Sequence, residues 1–159
     1  MTKTASSVEA SPIGYFNFAD SYSVAAKRLA STKFRTTHPD SPTRLLFHFA
    51  LELYLKAFLL LKRANLESIH GHGLVKLGNR ANKLGISLPT ESSQMFQYFD
   101  ALNTVIVSRY FRSRYIIGGE PSLEEIDRAC DALRVEVAKH FRSSGNAIGR
   151  LRIVWKEKT

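Results

Sequence analysis

Cysteine occurs once in this chain of 159 residues, at Cys130, so no disulfide can form within it and a zinc site of several thiolates is excluded. The opening residues, Met1 to Ser7, contain no apolar segment and cannot form a secretory signal. The longest apolar stretch, Leu45 to Leu61, is broken by His48, Glu52 and Lys56. Three polar groups near its middle would be costly in lipid, so it does not read as a membrane span and a cytoplasmic protein is expected. Repeats, long linkers, a glycine-rich phosphate loop, a nucleophile elbow and a paired-carboxylate arrangement are all missing. No metal and no cofactor is expected.

Acidic residues are also scarce: 14 Asp and Glu stand against 23 Lys and Arg, a net charge of +9. Such a surplus on a small domain favours polyanionic partners, whether nucleic acid, nucleotides or an acidic protein, and does not choose among them. Hydrophobic content of 44% and charged content of 23% are those of an ordinary folded domain, and the length suits one.

What the chain does have is helical periodicity. Tyr15, Phe18, Tyr22, Ala25, Ala26 and Leu29 recur at steps of three and four and mark a first helix. Ser41 and Pro42 read as N-cap and first residue of a second helix that runs to about Arg63. Gly71 and Gly73 punctuate the chain before a short third helix over roughly Leu74 to Leu84, which Gly85 and Pro89 stop. Thr90 can cap a fourth, with Met95, Phe99, Leu102 and Ile106 as its core face. Ser122 and Glu125 form a capping box for a fifth, along which Leu123, Ile126, Cys130, Leu133 and Val137 repeat. The expected fold is an all-α, antiparallel up-and-down bundle of about five helices over residues 13–142. Residues 1–12 read as a flexible N-terminus and 143–159 as a basic tail. There Leu151, Ile153 and Trp155 alternate with Arg152, Val154 and Lys156, as in a short strand or extended arm.

The second helix is apolar around its circumference except for Arg44, His48, Glu52 and Lys56, spaced four apart on one face. Two readings are open. The row is the helix's wet edge, or it faces a groove, in which case each charge needs a partner. The segment 108–115, Ser-Arg-Tyr-Phe-Arg-Ser-Arg-Tyr, could supply one. Its guanidinium groups suit phosphate oxygens and its rings suit stacked bases. Capping of a helix C-terminus and core packing explain the same residues as well.

Taken together, these motifs resemble the HEPN family: Glu-Leu-Tyr-Leu-Lys-Ala at 52–57, His-Gly-His-Gly-Leu at 70–74 followed by Leu77, the late Arg-Tyr segment and a Ser-capped last helix. The resemblance spans roughly residues 14–142. It implies a helical bundle that commonly dimerises and binds nucleotides or RNA. Many members are metal-independent ribonucleases of toxin–antitoxin or defence systems, and others partner nucleotidyltransferases. By this resemblance Glu52, Lys56, His72, Arg109 and Tyr110 occupy the family's recurring positions. The implied site has Glu52, Lys56 and His72 shaping a pocket, Arg109, Arg112 and Arg114 on phosphate, and Tyr110 and Tyr115 stacking.

Ribonuclease members carry an Arg followed at a short interval by a His, the imidazole exchanging a proton with the 2′-hydroxyl and the guanidinium stabilising phosphate charge. Arg63 with His70, and Arg134 with His140, have comparable spacing. The first pair lies across the end of the second helix. The second lies in the last helix, with Val135 where a polar residue is usual and the two side chains about 120° apart around the axis. Three functions follow: a nucleotide- or RNA-binding homodimer, an RNA-cleaving toxin using Arg134 and His140, and a non-catalytic module docking an antitoxin or nucleotidyltransferase. The histidine pair at 70 and 72 is too sparse for a metal site, and His72 is expected to dock its turn through neighbouring backbone.

Overall fold

Ser11 opens the first helix: its Oγ accepts a hydrogen bond from Gly14 N at 3.0 Å, with Pro12 in the first turn. The computed structural model describes residues 11–33, 35–36, 39–65, 69–108 and 120–145, with backbone alone over 103–108. Among the described residues there are five helices and no strand: α1 (Pro12–Ala30), α2 (Ser41–Leu61), α3 (Leu74–Lys83), α4 (Thr90–Ser108) and α5 (Leu123–Ser143). The alternating segment at 151–156 and the side chain of Ile106 lie outside what is described.

Local chemistry sets most boundaries. At α5 both arms of the capping box close, with Glu125 N donating to Ser122 Oγ at 3.2 Å and Ser122 N donating to Glu125 Oε2 at 2.7 Å. These bonds hold the Glu125 carboxyl below its ordinary pKa. At α2 the expected cap is one residue off: Asp40 holds the N-cap position, Ser41 is already helical, and no side chain caps the end. Its other end comes at Leu61, where Arg63 takes a left-handed φ of 58° and Ala64 N reaches back to Leu59 O at 2.9 Å.

The core is arranged around α2. Phe47, Ala50, Leu51, Tyr54, Leu55, Ala57, Phe58 and Leu59 are fully buried there, so α2 is enclosed as its composition predicts. Phe16 of α1 meets Tyr54, and Tyr22 meets Phe49, with ring centroids 5.3 and 5.4 Å apart. Rising numbers on α1 face falling numbers on α2, so the two run antiparallel. Arg44 contacts Pro121 and Phe58 contacts His140, so α5 runs alongside α2 in the same direction. Ser92 of α4 donates to Ala129 O while Tyr98 shares Arg44 with Pro121, which makes α4 antiparallel to α5. The result is an up-and-down bundle. α3 lies across α4, where Gly78 packs so closely that a Cβ there would stand 2.9 Å from the Phe96 ring.

Most of the periodic residues of α1 lie toward the core, with Ala26 buried and Tyr15 and Tyr22 packed against it; Phe18 does not. Phe16, Ala19, Ser23 and Ala26 are buried, whereas Phe18 is 66% exposed. Apolar residues lie on both faces of this helix, and only the packing of α2 and α5 decides which is covered.

Candidate functional site

The polar row of α2 does not meet solvent. His48, Glu52 and Lys56 are 5, 4 and 9% exposed, and Arg44 is largely covered. Of the two readings of the row, the one in which each charge needs a partner therefore applies. Glu52 Oε1 accepts from Lys56 Nζ at 2.6 Å and lies 3.0 Å from His72 Nδ1. Among the described residues Glu52 Oε2, itself buried, has no hydrogen-bond partner.

His72 comes from the turn before α3. Gly71, at φ 111°, supplies the left-handed step that only glycine takes without cost. The ring is 78% exposed, yet its Nδ1 touches a carboxylate that is almost wholly buried. The expected docking of His72 on backbone is thus replaced by contact with Glu52. Gly73 is the N-cap residue of α3 and has no side chain to satisfy the first amides. Asp100 of α4 does so from outside, its Oδ1 accepting from Leu74 N at 2.7 Å and its Oδ2 from Val75 N at 2.9 Å. This capping carboxylate fixes the turn, and with it His72, over α2.

His48 packs between the rings of Phe49 and Phe99, 5.9 and 5.4 Å away. Burial drives its pKa below the ordinary value, against the opposing pull of Glu52 and Asp100. The cluster therefore joins α2 (His48, Glu52, Lys56), the turn (His72) and α4 (Asp100). Asp100 is missed by sequence reasoning because its capping contact is made 25–26 residues away in the chain.

Arg44 at the head of the row has a different task. Its Nη1 donates to Tyr98 Oη at 3.0 Å and to the Pro121 carbonyl at 2.9 Å, and its Nη2 lies 3.5 Å from Glu120. It ties α4 to the residues just before α5, on either side of the Arg-Tyr segment. Arg109, Tyr110, Arg112, Arg114 and Tyr115 themselves lie outside the described residues.

Arg134 and His140 are occupied elsewhere. Arg134 forks onto Asp20 of α1 and covers the Phe16 ring, and His140 packs edge-on against Phe58 at 4.9 Å with Glu136 3.7 Å away. Arg63 sits in the turn that ends α2, and His70 is exposed beyond it. Cys130 is buried, which pushes its thiol up to about 12 and leaves it unreactive at neutral pH. Among the described residues no group of His, Cys, Asp and Glu could hold a metal ion, and no helix is long and apolar enough to cross a membrane.

The chain matches no protein-family model, no curated protein and no solved structure.

Proposed function

We propose that this chain is a HEPN-type bundle that binds a nucleotide or RNA, with Glu52, Lys56 and His72 at the base of the site. The observation that carries the reading is Glu52: a buried carboxylate with one oxygen shared by Lys56 and His72 and the other without a donor among the described residues. An unmet buried acceptor costs about 1–3 kcal/mol, which an N–H or O–H of a ligand would offset. Base edges and ribose hydroxyls offer such donors. The exposed His72 ring, held at Glu52 through Nδ1, presents its outer face for a base to stack on. Arg109, Arg112 and Arg114 would contact phosphate, and Tyr110 and Tyr115 would stack on bases. In this reading the protein acts as a cytoplasmic homodimer in a toxin–antitoxin or defence-type system.

The test is RNA and mononucleotide binding followed by fluorescence anisotropy across a salt series. His72→Ala and the double variant Arg109→Ala/Arg114→Ala should each weaken binding by about tenfold or more, the double variant also lowering the salt slope. Affinity and slope unchanged in both variants would reject the site.

A further inference from the structure

The cationic surface is not confined to the Arg-Tyr segment. α3 buries Leu74, Leu77, Gly78 and Ala81, and Gly78 seats it against Phe96. Its opposite face presents Lys76, Asn79, Arg80 and Lys83, at the i, i+3, i+4 and i+7 positions of one stripe. Lys76, Asn79 and Lys83 are exposed, and no acidic residue occurs anywhere in Leu74–Lys83. Among the described residues neither Lys76 nor Lys83 has an ion pair.

Helix electrostatics explain only part of this. Arg80 and Lys83 lie in the last turn, where a cation is favoured by the helix dipole. Lys76 lies in the first turn, where the dipole disfavours a cation, and the capping carboxylate of Asp100 offsets that there. We propose that the Lys76–Asn79–Arg80–Lys83 face of α3 is a second nucleic-acid contact surface that holds the phosphate backbone of an RNA strand. The cations and the amide all serve phosphate oxygens. Between Lys76 and Lys83 the outward positions carry no apolar side chain, so the stripe lacks the apolar face of a membrane-lying helix; Leu84, just beyond it, is exposed. Cations with no carboxylate among them suit a phosphate backbone better than a protein surface of mixed charge. Lys76 and Lys83 stand about 10 Å apart along the helix axis, a reach that suits separate phosphates of a strand. The inference rests on the nucleotide- or RNA-binding reading and deepens it, since the turn that carries His72 leads directly into α3.

The experiment measures binding of a short, labelled single-stranded RNA across a salt series by anisotropy. It compares wild type, Lys76→Ala/Lys83→Ala, and Arg128→Ala/Lys139→Ala, whose two cations are also exposed but paired with Glu124 and Glu136. The α3 double variant should lose about 1.4 from the slope of log K against log salt and bind several-fold more weakly, by the counterion release of two phosphate contacts. The α5 double variant, with the same change in net charge, should keep most of the slope. Equal losses in both variants, or none in the α3 variant, overturn the proposal. A wild type that binds no RNA overturns this proposal and the functional reading together. If the α3 variant binds as wild type while Arg109→Ala/Arg114→Ala has lost binding, the α3 surface alone is rejected.

Discussion

Arg134 of α5 grips Asp20 of α1 with both arms of its guanidinium, Nε 2.7 Å from Oδ1 and Nη2 3.0 Å from Oδ2. The fully buried Tyr54 of α2 donates its hydroxyl to the same Oδ1 at 2.6 Å, so three helices meet on one carboxylate. Burial raises the Tyr54 pKa, and its hydroxyl stays a donor throughout the accessible pH range. Arg134→Ala leaves Asp20 with Tyr54 as its remaining partner at this junction, and it should cost about 1–3 kcal/mol. For a chain of this size that is a fall in Tm of roughly 3–10 °C in a thermal melt. A melt identical to wild type would show that the three-helix junction contributes nothing. Loss of any activity in an Arg134 variant has to be read beside that melt.

The second prediction concerns pH. His48 is buried with a lowered pKa, so it folds neutral, while in the unfolded chain it titrates near its ordinary value of 6.5. The unfolded state thus binds more protons between the two values, and stability rises with pH there. His48 contributes its full stability above about pH 6.5, and that contribution is lost as pH falls through the lowered value. Glu52 and Asp100 face it and oppose the shift, while His72 and Lys56 add to it. Urea unfolding of wild type and His48→Gln at pH 7.5 and at successive steps down to pH 5 should show wild type losing more stability on acidification. Parallel curves would mean that His48 is not the titrating group.

Much of this was legible before the fold was seen, and for local reasons. Five helices, their breaks and the Ser122–Glu125 capping box follow from periodicity and turn residues, which act within a few positions. The polar row of α2 was legible as a row, because spacing alone puts Arg44, His48, Glu52 and Lys56 on one face. Whether that face is wet was not, because the answer depends on α4 and on the turn carrying His72. Phe18 shares the periodic row of Tyr15 and Tyr22 yet is exposed, because a helix with apolar residues on two faces gives periodicity no basis for choosing. Asp100 and the Tyr54–Asp20–Arg134 junction join distant positions, and a single sequence carries no signal for such contacts.

A third prediction comes from the end of α2. Arg63 stands at φ 58°, a left-handed conformation that costs an ordinary residue about 1–2 kcal/mol. The corresponding turns after α3 and α5 place Gly85 and Gly145 there, at φ 93° and 74°. Arg63→Gly should therefore stabilise the protein by about 1 kcal/mol or somewhat less, because glycine also frees the unfolded chain. The melt should move up by about 2–4 °C. A downward shift would mean that the Arg63 side chain makes a contact worth more than the strain.

The ribonuclease reading makes a sharper demand on this structure. Metal-independent cleavage through Arg134 and His140 needs the guanidinium on a phosphate and the imidazole within reach of a 2′-hydroxyl. Here the guanidinium is committed to Asp20, and the imidazole is packed against Phe58 and stands 20% exposed. Releasing Arg134 would break the three-helix junction, and turning His140 outward would open the core beside Phe58. The expected result, with metal chelated and a labelled RNA substrate, is no cleavage above background by wild type and none by His140→Ala. His72→Ala, assayed in parallel, should likewise show no cleavage, while its RNA binding falls. Cleavage by wild type that disappears in His140→Ala, with the melt unchanged, would instead establish the His140 ribonuclease. It would then require the α1–α5 junction to open when RNA binds, and Asp20→Asn, by loosening Arg134, should accelerate the reaction.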